Sequence, residues 1–177
     1  MAWVDRTGAR TPLPVPAMPY RQPRLSPDGT RVALYTETGA KKEIWVYDLN
    51  GRSQIQRLAG GGNNSRPIWT PDAKRLTFTS DRNGTESIWW QPADGSKPAE
   101  PLTKGDKDLP HWPDAWAADG KTLAFTKYNT GEQTIWTLSA EGGEPKFIAG
   151  GIGNEQAGAP TSHRTGAGSH TGRRSCS

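Results

Sequence analysis

The residues that come nearest to a reactive cluster are Asp106 and Asp108 in Gly105-Asp106-Lys107-Asp108, with His111 just beyond. The two carboxylates offer oxygens to a hard cation, but calcium takes six or more ligands and no other loop repeats the pattern. They read as two acids in a solvated turn. His111 stands alone beside Trp112, because the other histidines, His163 and His170, fall in a tail rich in Gly, Ser and Arg. A lone histidine there is a loop or core residue rather than a catalyst. There is no Gly-x-Ser-x-Gly elbow, no His-Arg-Asp, no Asp-Phe-Gly and no phosphate-cradling loop. Gly60-Gly61-Gly62 and Gly150-Gly151-Ile152-Gly153 read as turns. No catalytic residue, metal or cofactor is expected.

The elements that hold these loops recur. One cassette runs from Pro23 through Ser26-Pro27-Asp28-Gly29 to Leu34, a second from Pro67 through Thr70-Pro71-Asp72-Ala73 to Phe78, and a third from Pro113 through Ala117-Ala118-Asp119-Gly120 to Phe125. Each is followed by an Ile-Trp pair: Ile44-Trp45, Ile88-Trp89 and Ile135-Trp136. The step is 44 residues from Asp28 to Asp72 and from Ile44 to Ile88, then 47 from Asp72 to Asp119 and from Ile88 to Ile135. Two landmarks moving in register imply a repeat architecture.

Ser-Pro-Asp-Gly suits a type I turn. The residues after it, such as Arg31-Val32-Ala33-Leu34-Tyr35, are rich in strand-forming types. A Gly-bearing loop, the Ile-Trp strand, a second Gly turn and a short strand near Leu58, Leu102 or Phe147-Ile148 complete the unit. No window holds a sustained 3.6-residue apolar spacing, so the chain is expected to be all-β with almost no helix. Four short antiparallel strands per repeat is the blade of a β-propeller.

These blades resemble the WD-like repeats of the TolB family, which carry the same Trp-Ser-Pro-Asp-Gly turn and Ile-Trp strand. The likeness covers roughly Tyr20 to Gly150. Leu25 stands where that pattern has Trp, Ala73 where it has Gly and Ala118 where it has Pro. The resemblance implies a partial β-propeller of about three four-stranded antiparallel blades, incomplete at both ends. Residues 1–19 would form a strand remnant and a Pro-rich linker, with blades over 20–62, 63–105 and 106–151. Residues 152–177 would be a disordered tail in place of a fourth blade. Synonymous codons for Ala159 to Cys176 allow another reading frame to spell a further Ser-Pro-Asp-Gly cassette, so a frameshift near Gly158 is expected.

Composition narrows the function classes. The net charge of +4 draws +2 from the tail after Asn154, which leaves the blades too weakly basic for a nucleic-acid footprint. Six tryptophans, Trp45, Trp69, Trp89, Trp112, Trp116 and Trp136, sit in or beside repeat positions and are expected in the blade core. Cys176, the lone cysteine, lies in the tail. No apolar stretch is long enough to span a membrane, and Met1 to Arg6 hold no signal-peptide core.

What remains is a binding surface. The connections between blades, held from below by strands, carry the candidate contacts Asn63, Asn64, Arg66, Asp106, Asp108, His111, Asn154 and Glu155. Their partner would be a protein or a small ligand at the channel end. The resemblance to TolB implies a periplasmic, non-catalytic interaction module. Similar blades also follow bacterial receptor-like serine/threonine kinase domains, whose junction Trp3 to Gly8 resembles, and precede the hydrolase domain of prolyl-oligopeptidase-type peptidases. Those kinships imply, respectively, an extracytoplasmic sensor and half of a peptidase.

Overall fold

The computed structural model describes residues 2–12, 15–50, 56–58, 60–107, 109–129 and 131–150. The described residues are all β. A leading hairpin pairs β1 (Ala2–Val4) with β2 (Arg10–Pro12), so the start of the Pro-rich run is a strand rather than linker. Asp5 closes that hairpin by accepting hydrogen bonds from the Thr7 and Ala9 amides.

Three four-stranded antiparallel sheets follow, each in chain order. The first holds β3 (Tyr20–Leu25), β4 (Arg31–Thr38), β5 (Lys41–Asp48) and β6 (Gln56–Arg57). The second holds β7 (Asn64–Trp69), β8 (Arg75–Ser80), β9 (Ser87–Pro92) and β10 (Glu100–Pro101). The third holds β11 (His111–Trp116), β12 (Thr122–Asn129), β13 (Glu132–Ser139) and β14 (Lys146–Ala149).

The turn that opens each cassette is built the same way. Ser26 Oγ donates to Asp28 Oδ1 at 2.6 Å and accepts from the Arg31 amide at 2.9 Å. Thr70 does the same with Asp72 and the Arg75 amide, at 2.6 and 3.0 Å. Ala117 has no hydroxyl, so the third turn keeps the backbone bonds from Ala117 to Thr122 and from Gly120 to Ala117 and the Lys121 amide on Asp119, but lacks the side-chain bonds. The fourth turn residue is left-handed in all three: Gly29 at φ 70°, Ala73 at 57° and Gly120 at 69°. Ala73 therefore holds a backbone shape that favours glycine.

The blades stack face to face. Ala33, Ile44 and Val46 of the first meet Trp69, Leu76, Phe78 and Trp89 of the second in one buried cluster. Ile68 and Ile88 of the second meet Leu123, Phe125 and Leu138 of the third in another, with Trp116 and Trp136 packed against it. Trp45 and Trp112 belong to neither cluster. Both are only half-buried, so their expected place in the core is corrected.

The first strand of each blade carries a bulge. Register shifts between Arg21 and Arg24, between Ser65 and Ile68, and between Pro113 and Ala115. A proline lies in each bulge, and the strand bearing it is a sheet edge, where a missing amide hydrogen costs no ladder bond. In the first two blades the residue before that proline is left-handed: Gln22 at φ 45° and Arg66 at 55°.

Candidate functional site

One end of the blades gathers the starts of β7 and β11, the connections leading into them, and the β8–β9 and β12–β13 hairpins. Connection and hairpin are tied together by polar side chains. Asp81 accepts from the Asn63 amide at 2.6 Å and from Asn63 Nδ2 at 2.9 Å. Asn63 Oδ1 in turn accepts from the Lys42 amide of the first blade at 3.1 Å. Gly62, at φ 65°, lies so close that a β-carbon would sit 2.6 Å from Asp81 Oδ1.

Asn64 is 1% exposed and spends its amide on the Gly61 and Gly62 carbonyls. Its Oδ1 accepts from Arg82 Nη2 at 2.9 Å, while Arg82 Nε donates to Ser80 Oγ at 3.0 Å. The Arg82 guanidinium lies 4.6 Å from the Trp89 ring centre, and burial lowers its pKa. Arg82 thus acts as the keystone of the second blade's loop end. Nothing in the sequence pattern marked it, because the equivalent positions in the other blades are Thr38 and Asn129.

His111 sits at the equivalent point of the third blade and is 1% exposed. Thr103 Oγ1 accepts from the Ile88 amide at 2.9 Å and meets His111 Nδ1 at 2.9 Å. Because the Asp106 carboxylate can only accept, Nε2–H donates to its Oδ2 at 3.1 Å, and Nδ1 of the neutral ring accepts the Thr103 hydroxyl proton. Lys127 Nζ reaches the same oxygen at 2.6 Å. Burial holds the His111 pKa below its ordinary value, with Asp106 opposing and the Lys127 charge adding to the effect. Burial pushes the Asp106 carboxyl the other way, but the bonds from Lys127 and His111 outweigh it and keep its pKa low.

Hydroxyl, imidazole and carboxylate in a row is the order of a nucleophile relay. Here the ring is enclosed and Thr103 already serves a backbone amide, so the row works as a clamp between the second and third blades. A cleft of about 520 Å³ lies beside it, lined by Thr103, Lys104, Asp106, Lys127, Glu144 and Pro145 among others. A cleft of similar size at the opposite end is lined by Asp72, Arg75, Trp90 and Asp119. Asp72 and Asp119 accept the Lys74 and Lys121 amides within their turns, so the loop end holds the more distinctive chemistry.

Arg66 completes the loop end. Its guanidinium lies 3.8 Å from the ring centre of Trp112, which stacks on Tyr128 at 4.7 Å and 16°. This column joins the second blade to the third, and all three side chains are half-buried. Beside it, partial desolvation pushes the Asp114 carboxyl pKa up, while the Thr126 hydroxyl donating at 2.7 Å and the Arg66 charge act against that shift.

Of the eight residues expected at the surface, the structure brings Asn63, Asn64, Arg66, Asp106 and His111 to this end. Asn64 and His111 are corrected from surface contacts to buried braces, because their polar atoms are needed to satisfy the loops. Asp108, Asn154 and Glu155 lie outside the described residues, as do residues 151–177 with the expected frameshift. Sequence reading missed Thr103, Lys127 and Tyr128. Lys127 carried one usable signal, the lone charge in its strand. Among the described residues no group of three or more His, Cys, Asp or Glu could hold a metal ion, and no helix is long and apolar enough to cross a membrane.

Comparison with known proteins places this geometry. The Tol-Pal system protein TolB of Anaeromyxobacter dehalogenans (strain 2CP-C) is 32% identical over 78 residues, covering 42% of this chain and 17% of that protein. An uncharacterized peptidase, YuxL, of Bacillus subtilis (strain 168) is 33% identical over 69 residues, or 35% of this chain and 10% of that protein. The chain therefore spans only a small part of the relatives it matches. Among solved structures, a putative TolB from Agrobacterium tumefaciens superposes with a TM-score of 0.64 at 22% identity, over 78% of this chain and 51% of that one. TolB from Acinetobacter baumannii gives 0.60 at 26% identity, over 80% and 35%. The family model described as the TolB beta propeller domain matches residues 6–164. Matched over most of its length by that model, the chain belongs to the TolB β-propeller family.

Proposed function

We propose that this chain is a non-catalytic propeller scaffold whose loop end meets a protein partner or a small ligand, on the extracytoplasmic side of the cell. One observation carries the reading. Most of the loop-end polar groups are consumed in bracing the fold, whereas the Arg66–Trp112–Tyr128 column stands half-exposed. An accessible cationic and aromatic surface on rigid strands suits recognition. In the Thr103–His111–Asp106 row the hydroxyl and the imidazole are buried and the hydroxyl is already bonded to a backbone amide, which does not suit turnover. Kinship with TolB supports the extracytoplasmic setting.

The test places a photo-crosslinking amino acid at Asn83 on the loop end, or at Lys121 on the turn end, in the protein within its native cells. A discrete adduct from Asn83 and none from Lys121 is expected. Equal labelling from both positions sinks the reading. A second reading, the propeller of a peptidase, is favoured by the YuxL relative. A hydrolase domain with a Gly-x-Ser-x-Gly elbow encoded downstream in the same frame would decide for it.

A further inference from the structure

We propose that Arg66 is the recognition point for a carboxylate, either a peptide's C-terminus or an acidic side chain. The inference deepens the scaffold reading by assigning its loop end a ligand chemistry.

Four observations converge on it. First, Arg66 adopts φ 55°, a conformation unfavourable for a residue with a side chain, and bulges of this kind serve to re-aim one. The next residue, Pro67, is fully buried and pins the bulge in place. Second, the guanidinium packs its face on Trp112, 3.8 Å from the ring centre, and Tyr128 backs that ring. Stacking occupies the face of the planar ion and leaves its N–H fork directed along the plane, where a carboxylate binds with two parallel bonds.

Third, among the described residues no carboxylate pairs with Arg66, whereas Arg21, Lys41, Arg57 and Lys127 each have one. The carboxyl that feels its charge, Asp114, is engaged by Thr126. Fourth, Arg66 and Trp112 come from successive blades, so the site exists only when the two are stacked. Arg75 over Trp90, at 4.0 Å, repeats the stack on the neighbouring strands toward the turn end and provides an internal comparison.

The purified chain, with indole fluorescence and the arginine Nε–H resonances as readouts, is titrated with three probes. These are N-acetyl-Ala-Ala, its C-terminal amide, and N-acetyl-Ala-Glu-Ala-amide. At least one acid is expected to bind about tenfold more tightly than the neutral amide, and the preferred acid identifies the carboxylate source. Arg66→Gln and Arg66→Lys should each weaken that acid by about tenfold, because a point charge does not reproduce the fork. Arg66→Lys keeps charge and stem, so a folded Lys variant that has lost the acid supports the fork independently of fold. Arg75→Gln should leave binding unchanged. Equal binding of acids and amide, full binding by folded Arg66→Lys, or an equal loss in Arg75→Gln would overturn the proposal. Crosslinking from Asn83 reads the scaffold role separately: an adduct without the acid preference sinks this site alone, and the acid preference without an adduct sinks the scaffold reading alone.

Discussion

A histidine 1% exposed, with Thr103 on one ring nitrogen and Asp106 on the other, stays neutral at pH 7 because burial disfavours the imidazolium. In the unfolded chain the same ring takes its proton near the ordinary 6.5. Acid therefore draws the equilibrium toward the unfolded state. Stability falls as pH drops below 6.5 and stops falling on this account below the lower folded-state pKa. The denaturant midpoint should drop between about pH 7.5 and about pH 5.5. His111→Gln should be less stable at the upper pH but show a much flatter dependence. An equally steep slope in that variant would place the acid sensitivity elsewhere. Asn64, equally enclosed at the matching position of the second blade, solves the same loop problem with a group that does not titrate. The third blade is thus the one whose brace answers to pH.

At the scale of an element, the opening turn shows how far one pattern tolerates variation. Ser26 and Thr70 each use a hydroxyl both as donor to the turn aspartate and as acceptor from the next strand. Hydrogen bonds from Ser26 and Thr30 lower the Asp28 pKa to about 2. Ala73 is the strained member, since φ 57° brings its β-carbon toward the following carbonyl. Ala73→Gly should raise stability by about 1 kcal/mol, part of the strain relief being lost to the freer unfolded chain. A lower melting temperature would show that the buried Ala73 methyl contributes more packing than its backbone costs. The turn itself was readable from residue types alone. The bulges were not: only the paired registers show them, and only the backbone dihedrals show that Gln22 and Arg66 are left-handed.

For the molecule as a whole, each blade buries its faces only against its neighbours, so the middle blade is the best protected. Every residue of β8 after Arg75 is buried, whereas β14 is exposed throughout. Phe147 and Ile148 on β14 are 52% and 59% exposed on an outer edge strand. An apolar edge invites pairing with another chain, and an inserted lysine is the usual protection. Ile148→Lys should reduce self-association in light scattering without moving the melting temperature. Unchanged scattering would place the sticky surface elsewhere.

The sequence by itself determined the repeat, the strands, the turns and the all-β class, because these depend on residue types spaced within a few positions of one another. It also brought the connections between blades forward as candidates. Which side chains in them face outward was settled by tertiary structure. Asn64 and His111 look as polar as Arg66 in the sequence, yet the first two are enclosed as braces and the third is half-exposed and stacked on Trp112. Trp112 read as core because it borders a cassette, and it became surface because its partners are Tyr128 on the paired strand and Arg66 on the preceding blade. The reason is physical. Secondary structure follows from near neighbours in the chain, whereas burial and pairing at the loop end arise between blades, from residues about 45 positions apart that meet only when the sheets stack.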